Sequence, residues 1–182
     1  MTSMEMLKNI TTRCRWLLIM LLWPLCDAAM AAPQLAIEEF SITAGQNATM
    51  RIDLANAGTG VTLVQFDLRL PNGLTLAEEG GEYMVDMCGR TLWRNHSLQA
   101  NKLADGSLRV LLSSATNTVI EGSDGALIAL TLSAANNFTG GQITLNNILM
   151  VGPDETQYLQ GSVSYTVTAK PMPQPGSSRY SN

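Results

Sequence analysis

The segment VTLVQFDLRLPNGLTL, residues Val61 to Leu76, decides the fold. Its apolar and polar side chains alternate, and successive side chains of a β-strand point to opposite faces of the sheet. The strand ends at Pro-Asn-Gly, because Pro71 cannot donate a ladder hydrogen bond and Gly73 tolerates the backbone angles of a tight turn. The alternation predicts an inward face of Val64, Phe66, Leu68 and Leu70 and an outward face of Gln65, Asp67 and Arg69.

Similar two-residue periods recur along most of the chain, separated by Gly, Asn, Asp and Pro. The runs HSLQANKL and GSLRVLLSS flank Ala-Asp-Gly, which predicts a β-hairpin. Residues 77–95 are irregular and polar, and we expect a long connection there that contains a short strand or a turn of helix. With about nine strands and hardly any helical period, the sequence predicts an all-β sandwich.

The amino terminus predicts a secretory signal peptide, residues 1–31. Basic residues precede the apolar run 16–26, and Ala29 and Ala31 form an A-x-A cleavage site. The run has 11 residues, whereas a membrane-spanning helix needs ~20. We therefore expect the mature chain to begin at Ala32, without a transmembrane span, and to be secreted or displayed at the cell surface.

A competing interpretation makes Cys26 the lipid-modified cysteine of a bacterial lipoprotein, although Leu25 stands where such sites normally have a small residue. In either case cleavage of the leader removes Cys14 from the mature chain. After cleavage at Ala31, Cys88 is the remaining cysteine. We expect a small buried thiol, with an intermolecular bridge as the alternative.

The mature chain is long enough for one domain, which we place at residues 32–169. Residues 170–182 contain three prolines and Gly-Ser-Ser, and predict a disordered tail or linker. The leader holds three of the 11 basic and two of the 15 acidic residues, which leaves the mature chain a net charge of −5. An acidic exported domain has no electrostatic attraction to the phosphate backbone of nucleic acids, which argues against nucleic acid as a partner.

The sequence offers no catalytic constellation, metal site or cofactor motif. His96 is the only histidine and begins a strand, where a surface or hydrogen-bonded role is the ordinary one. No H-E-x-x-H, G-x-S-x-G, paired-cysteine or phosphate-loop pattern occurs. Asp124 and Asp154 lie in Gly- and Pro-containing segments, which favours turn chemistry over calcium binding. Trp93 is the best candidate for stacking on a sugar ring, with partial burial as the alternative.

Three segments together resemble the cohesin-type domain of the carbohydrate-binding-module superfamily, in the form found on exported proteins of Bacteroides- and Prevotella-like bacteria. They are LVQFDLRLPNGLTL (63–76), SLQANKLADGSLRVLLSSATNTVIEGSDGALIALTLSA (97–134) and ITLNNILMVGPD (143–154). FDLRLPNGL and GALIALTLSA are the most telling parts, and the similarity runs from about Leu35 to Thr168. The resemblance implies a nine-stranded jelly-roll sandwich.

In cohesins, the sheet of the eighth, third, sixth and fifth strands docks a dockerin helix pair. In this chain the resemblance assigns those strands to Gln142–Met150, Thr62–Leu70, Ser107–Ser113 and Ser97–Lys102. It thereby implies a partner-binding face that consists of Gln65, Asp67, Arg69, Gln99, Asn101, Arg109, Leu111, Thr144 and Asn146.

The leading hypothesis is thus a non-catalytic, exported, cohesin-like module that binds a dockerin-like protein at the bacterial surface. Leu111 would form the apolar centre of its face, and Asp67, Arg69 and Arg109 would set register and specificity. A carbohydrate-binding module for polysaccharides, with Trp93 stacking on the glycan, and a purely structural surface or adhesin domain are the alternatives.

Overall fold

The segments in which apolar and polar side chains alternate form β-strands in the structure. The structure, a computed structural model, describes residues 31–91 and 95–171. These residues form fourteen strands and no helix: β1 Gln34–Ile37, β2 Ile42–Thr43, β3 Asn47–Ala55, β4 Leu63–Arg69, β5 Leu74–Leu76, β6 Glu78–Glu79, β7 Glu82–Tyr83, β8 Val85–Met87, β9 His96–Lys102, β10 Leu108–Ser114, β11 Ala126–Ala134, β12 Gly140–Val151, β13 Gln157–Gln160 and β14 Val163–Lys170.

The strands form two sheets and a short hairpin. The five-stranded sheet has the order β1-β3-β11-β5, with β8 also pairing with β11. The seven-stranded sheet has the order β2-β14-β12-β4-β10-β9, with β13 also pairing with β12. β6 pairs with β7 outside both sheets. The predicted all-β sandwich and the predicted neighbours β12, β4, β10 and β9 are confirmed.

The prediction of nine strands agrees with the structure when interrupted strands are merged. β1 and β2 form one interrupted strand, as do β5 and β8, and β6, β7 and β13 are short additions. One expectation differs in detail: the predicted first strand, 35–42, is broken at residues 38–41. The irregular segment 77–95 contains three short strands, β6, β7 and β8, where one short strand or a turn of helix was expected.

The predicted inward residues of β4 form the centre of the core. Val64, Phe66 and Leu68 are fully buried. They are part of one cluster with Met50 and Ile52 of β3 and with apolar residues of the other strands. Leu70 is only partly buried, because β4 ends at Arg69 and the chain leaves the sheet before Pro71.

A bulge at Asn147 shifts the alternation of β12. Asn146 pairs with Asp67 of β4, but the next pair is Leu149 with Gln65, so β12 carries one extra residue. Asn147 has a φ of 50°, a left-handed conformation that Asn tolerates better than most residues. Beyond the bulge, Ile148 is buried. Such a bulge re-aims every side chain that follows it.

The amino-terminal strand contacts both sheets. β1 pairs with β3 in one sheet, and β2 pairs in parallel with β14 in the other. Between them, the Tyr165 hydroxyl accepts from Phe40 N at 3.2 Å and donates to Phe40 O at 2.9 Å. The Gln160 amide bonds both Leu35 N and Leu35 O, at 2.6 and 2.9 Å. The Tyr165 hydroxyl thus bonds backbone groups in the break at residues 38–41, whereas Gln160 bonds backbone groups of β1 itself.

Arg90 holds the loop before β11 against the end of β3. Its Nε donates to Glu121 O at 2.5 Å, and Nη1 donates to Leu54 O at 2.6 Å and to Gly125 O at 3.0 Å. Nη2 donates to the Asn56 side chain at 2.8 Å and to the carbonyl of residue 122 at 3.1 Å. All five donors of the guanidinium are therefore used.

Several predictions concern residues outside the described ranges. The signal peptide, its cleavage site and lipid attachment at Cys26 all fall there, except for Ala31 itself, and they stay predictions. β14 extends to Lys170, which the sequence assigned to the tail, and residues 172–182 lie outside the described part. Within residues 31–91 and 95–171, no helix is long and apolar enough to cross a membrane.

We expect Arg90→Lys to lower the free energy of unfolding by about 2–3 kcal/mol, because an ammonium has three donors and cannot reproduce the fork of five hydrogen bonds. Urea denaturation followed by circular dichroism measures the change. Arg51→Lys is the matched control, since Arg51 forms an exposed ion pair with Glu38 at 3.5 Å and should cost less than about 0.5 kcal/mol. Equal losses in the two variants would contradict the role given to Arg90.

Candidate functional site

All nine residues predicted for the partner-binding face lie within the described residues, on the outward side of β12, β4, β10 and β9. Directly opposed residues of antiparallel strands share a face. One row across the sheet is Asn146, Asp67, Arg109 and Asn101, and the next is Leu149, Gln65, Leu111 and Gln99. Thr144 lies opposite Arg69. The alternation of the sequence therefore placed these nine side chains on one surface.

Asp67 and Arg109 form the central ion pair of this face. Arg109 donates through Nε to Oδ1 of Asp67 at 2.7 Å and through Nη2 to Oδ2 at 2.9 Å. The Nδ2 atom of Asn147 donates to the same Oδ2 at 2.8 Å. This bidentate geometry fixes both planar groups. The bulge residue therefore contributes a hydrogen bond as well as a change of register.

One expectation needs correction: Asp67 does not present a carboxylate to a partner. Asp67 is 5% exposed, because Arg109 and Asn147 cover it from the two neighbouring strands. The hydrogen bonds from Arg109, with a smaller contribution from Asn147, hold the pKa of Asp67 below its ordinary value of 3.8 despite its burial. Asp67 positions Arg109, whose side chain is 40% exposed.

Arg69 occupies the polar end of the face and pairs with Asp105 in the β9–β10 turn at 2.9 Å. Asp105 also accepts hydrogen bonds from the amide and hydroxyl of Ser107, at 3.0 and 2.6 Å. These bonds lower the pKa of Asp105, those from Ser107 most. A depression of about 310 Å³ lies here, lined by Asp67, Arg69, Asp105, Ser107, Asn146 and Asn147.

The opposite end of the face is apolar, and Leu111 is the one apolar residue that the sequence predicted there. Leu149 lies opposite Leu159 of β13, and Val151 lies opposite Leu63. Leu159 is 82% exposed, and the other members are partly buried. The apolar half of the face consists of Leu63, Leu111, Leu149 and Val151, and Leu159 of β13 adjoins it. The apolar residues stand at odd positions in Ile143 and Leu145 and at even positions in Ile148 and Met150. This shift of the apolar period across Asn146 and Asn147 is the sequence signal that could have revealed the apolar half of the face.

A separate cleft of about 520 Å³ lies at one end of the sandwich. The chain that crosses from β4 to β5 forms one wall, and the β9–β10 turn forms another. Tyr83, Glu78 and Lys102 also line it. The cleft shares Arg69, Asp105 and Ser107 with the depression on the face.

The other candidate residues have ordinary surroundings. Asp154 accepts hydrogen bonds from the amide and hydroxyl of Thr156, and Asp124 accepts one from Gly125 N at 2.9 Å. His96 is 9% exposed, and Cys88 is partly rather than fully buried. No group of three or more His, Cys, Asp and Glu suited to a metal occurs among the residues described. Trp93 lies outside them, so its glycan-stacking role and the polysaccharide alternative stay predictions.

Comparison with solved structures identifies the fold. The chain superimposes on the cohesin module of a Clostridium perfringens family 33 glycoside hydrolase with a TM-score of 0.59 at 14% identity, covering 78% of this chain and 98% of that one. This chain has the cohesin fold. The sixth cohesin of Acetivibrio cellulolyticus scaffoldin B, in complex with a Cel5 dockerin mutant, gives 0.59 at 16% identity, with coverage of 77% and 100%.

The cohesin fold extends to an archaeal protein as well. A non-cellulosomal cohesin from Archaeoglobus fulgidus gives a TM-score of 0.54 at 12% identity, covering 76% of this chain and 93% of that one. No protein-family model matches the sequence, and no curated protein gives a significant match. The cohesin resemblance of the sequence is therefore confirmed at the level of the fold, and the bacterial group of origin stays a prediction.

We expect two substitutions at Asn147 to separate its two roles. Asn147→Gly keeps the left-handed conformation but removes the hydrogen bond to Asp67, which should cost about 1 kcal/mol of unfolding free energy. Asn147→Ala removes the same bond and adds the left-handed strain of a Cβ, about 1 kcal/mol more. Urea denaturation of both variants measures the difference. Equal stability of the two would show that the bulge does not require a left-handed residue.

Asp67→Asn should reduce the acid sensitivity of the domain. The pKa of Asp67 is lower in the folded state than the unfolded value of about 3.8, so its contribution is full above pH 3.8 and is lost as the pH falls through the folded value. At pH 7 we expect a loss of about 1–3 kcal/mol, because Arg109 then faces an amide.

Between pH 5 and pH 2, the wild type should therefore lose more stability than Asp67→Asn. Urea titrations at several pH values check this. Asp154→Asn is the comparison, since Asp154 also has a lowered pKa but is exposed and bonded only within its own turn, so it should change the pH curve less than Asp67→Asn does. A wild type and an Asp67→Asn variant with parallel pH curves would contradict the assignment.

Proposed function

We propose that this chain is a non-catalytic, exported protein-interaction module of the bacterial cell surface, and that its partner is a dockerin-like helical module. The observation that carries the proposal is the outward face of β12, β4, β10 and β9. Leu111 and Leu149 lie on either side of Gln65 near its centre, Gln99 lies beside Leu111, and both arginines are paired. An apolar centre, depleted of free charge and surrounded by polar groups, is typical of protein interfaces.

The fold comparison supports the type of partner. Solved structures with this fold include cohesins in complex with dockerins, from Acetivibrio cellulolyticus and Clostridium thermocellum. The arrangement of the face supports binding rather than catalysis. The carboxylate of Asp67 is covered, and Arg109 is held by it, so the polar groups are fixed in one geometry before a partner arrives. Such preorganisation reduces the entropic cost of association.

The export and surface location belong to the same proposal. They are supported by the basic residues and short apolar run of the leader, which precede the first strand. Attachment through Cys26 is the alternative route to the same side of the membrane. Mass spectrometry of the mature amino terminus distinguishes the two, because an unmodified Ala32 terminus excludes lipid attachment.

Leu111→Glu should weaken dockerin binding at least about tenfold, because it places an unpaired charge at the apolar centre of the face. Isothermal titration of the protein against dockerin modules measures this, with a panel that includes Cel5 dockerin and those encoded near its own gene. Ala129→Glu is the matched control: Ala129 lies opposite the exposed Arg51 on the outward side of the other sheet. Absence of binding to every dockerin of the panel, or equal loss in the two variants, would contradict the proposal.

A further inference from the structure

The apolar surface continues beyond β12, β4, β10 and β9 onto β13. Leu159 of β13 lies directly opposite Leu149 of β12, which lies opposite Gln65 of β4, which lies opposite Leu111 of β10. These four side chains form one row perpendicular to the strands, which we call the leucine row. Three of its four members are leucines, and the row reaches from the middle of the sheet to its edge.

Leu159 is the least protected large apolar side chain of the described residues. It is 82% exposed, and Val119, at 42%, is the other exposed large hydrophobic residue among them. Its neighbour Tyr158 points the other way and packs against the core. β13 is thus anchored on one face while it presents a leucine on the other. A leucine that is exposed beside further partly exposed apolar residues marks an interaction surface more often than an isolated one does.

The spacing of the leucine row matches an α-helix that lies across the strands. Neighbouring strands are separated by about 4.8 Å, and an α-helix advances about 5.4 Å per turn. A helix perpendicular to the strands therefore places one side chain per turn over each strand. The three intervals of the row span roughly 14 Å, which corresponds to about ten residues, or nearly three turns.

The charges of the face favour an uncharged contact side on that helix. Arg109 is bonded to Asp67 through both Nε and Nη2, and Arg69 is bonded to Asp105. Each arginine already has its counterion within the domain. A charged residue of the partner would compete with these pairs, whereas an apolar residue over the leucine row gains contact area without any such competition.

We propose that β13 belongs to the docking surface and that its occupant is one amphipathic helix of the protein partner, lying across β13, β12, β4 and β10. The helix has apolar residues at positions i, i+3 or i+4, i+7 and i+11, and these cover the leucine row. Leu159 is the outer anchor and a determinant of specificity. This inference rests on the proposed function, which concerns the face of β12, β4, β10 and β9 and does not include β13.

The test uses a defined probe. A 15-residue amidated peptide with leucines at positions 2, 5, 9 and 13 and Ala, Gln and Ser elsewhere is titrated into the ¹⁵N-labelled protein, beside a peptide of the same composition with scrambled leucines. We expect amide shift changes in β13, β12 and β10, and binding of the scrambled peptide at least about tenfold weaker. Raising the salt concentration from 50 to 500 mM should change the affinity less than about twofold, because exposed charges make little contribution.

Leu159→Gln should weaken binding of the leucine peptide at least about tenfold. Its unfolding midpoint should stay unchanged, since the side chain is exposed. Thr166→Gln is the matched control: Thr166 lies opposite Gln142 on the same face of the sheet, away from the row. Shift changes elsewhere, equal affinity for the two peptides, no binding, or no effect of Leu159→Gln would each overturn the inference.

Different experimental results would contradict the proposed function and the role of β13. A dockerin that binds the wild type and Leu159→Gln equally well retains the proposed function and overturns the role of β13. Peptide binding on the leucine row without binding of any dockerin supports the helix site and contradicts the dockerin-type partner.

Discussion

The bulge at Asn147 is the constraint on which both the core and the outward face depend. Without the extra residue, β12 would keep one alternation, and Leu149 would enter the core while Ile148 would face solvent. The left-handed conformation of Asn147 reverses this, and Ile148 is buried. The same residue donates to Asp67 at 2.8 Å. One backbone irregularity therefore fixes the packing of a strand and the charge arrangement of the neighbouring one.

The face that results has two halves with different physical character. Around Arg69 and Arg109 every charge is balanced inside the domain, and hydrogen bonds hold the groups in place. Around Leu111 and Leu149 the surface is mainly apolar, and the polar side chains beside them, Gln65 and Gln99, carry no charge. Polar groups in fixed positions exclude wrong partners, and apolar area contributes affinity. Because the polar groups and the apolar area lie in different halves of the face, substitutions could change the specificity of binding and its affinity independently.

The sequence predicted the elements whose signal is local and periodic. Alternation in residues 63–70 placed the core side of β4, and Pro71 marked its end, as the structure confirms. The covering of Asp67 could not be predicted, because two strands distant in sequence provide it. The five bonds of Arg90 go mainly to loop carbonyls, which leave no periodic signal. The leucine row depends on the bulge, whose trace in the sequence is the shift of the apolar period between Leu145 and Ile148; the pairing with β4 is needed to show which side chains that shift brings together.

The amino-terminal strand has a mechanical consequence. β2 runs parallel to β14, so a force that pulls the segment before β1 away from the segment after β14 slides these strands along each other. Their hydrogen bonds are then loaded together rather than opened one at a time. The bonds from Gln160 to Leu35 and from Tyr165 to Phe40 tie the same strand at two further points. Tension applied between the two ends of the domain would thus be resisted by these bonds acting at the same time.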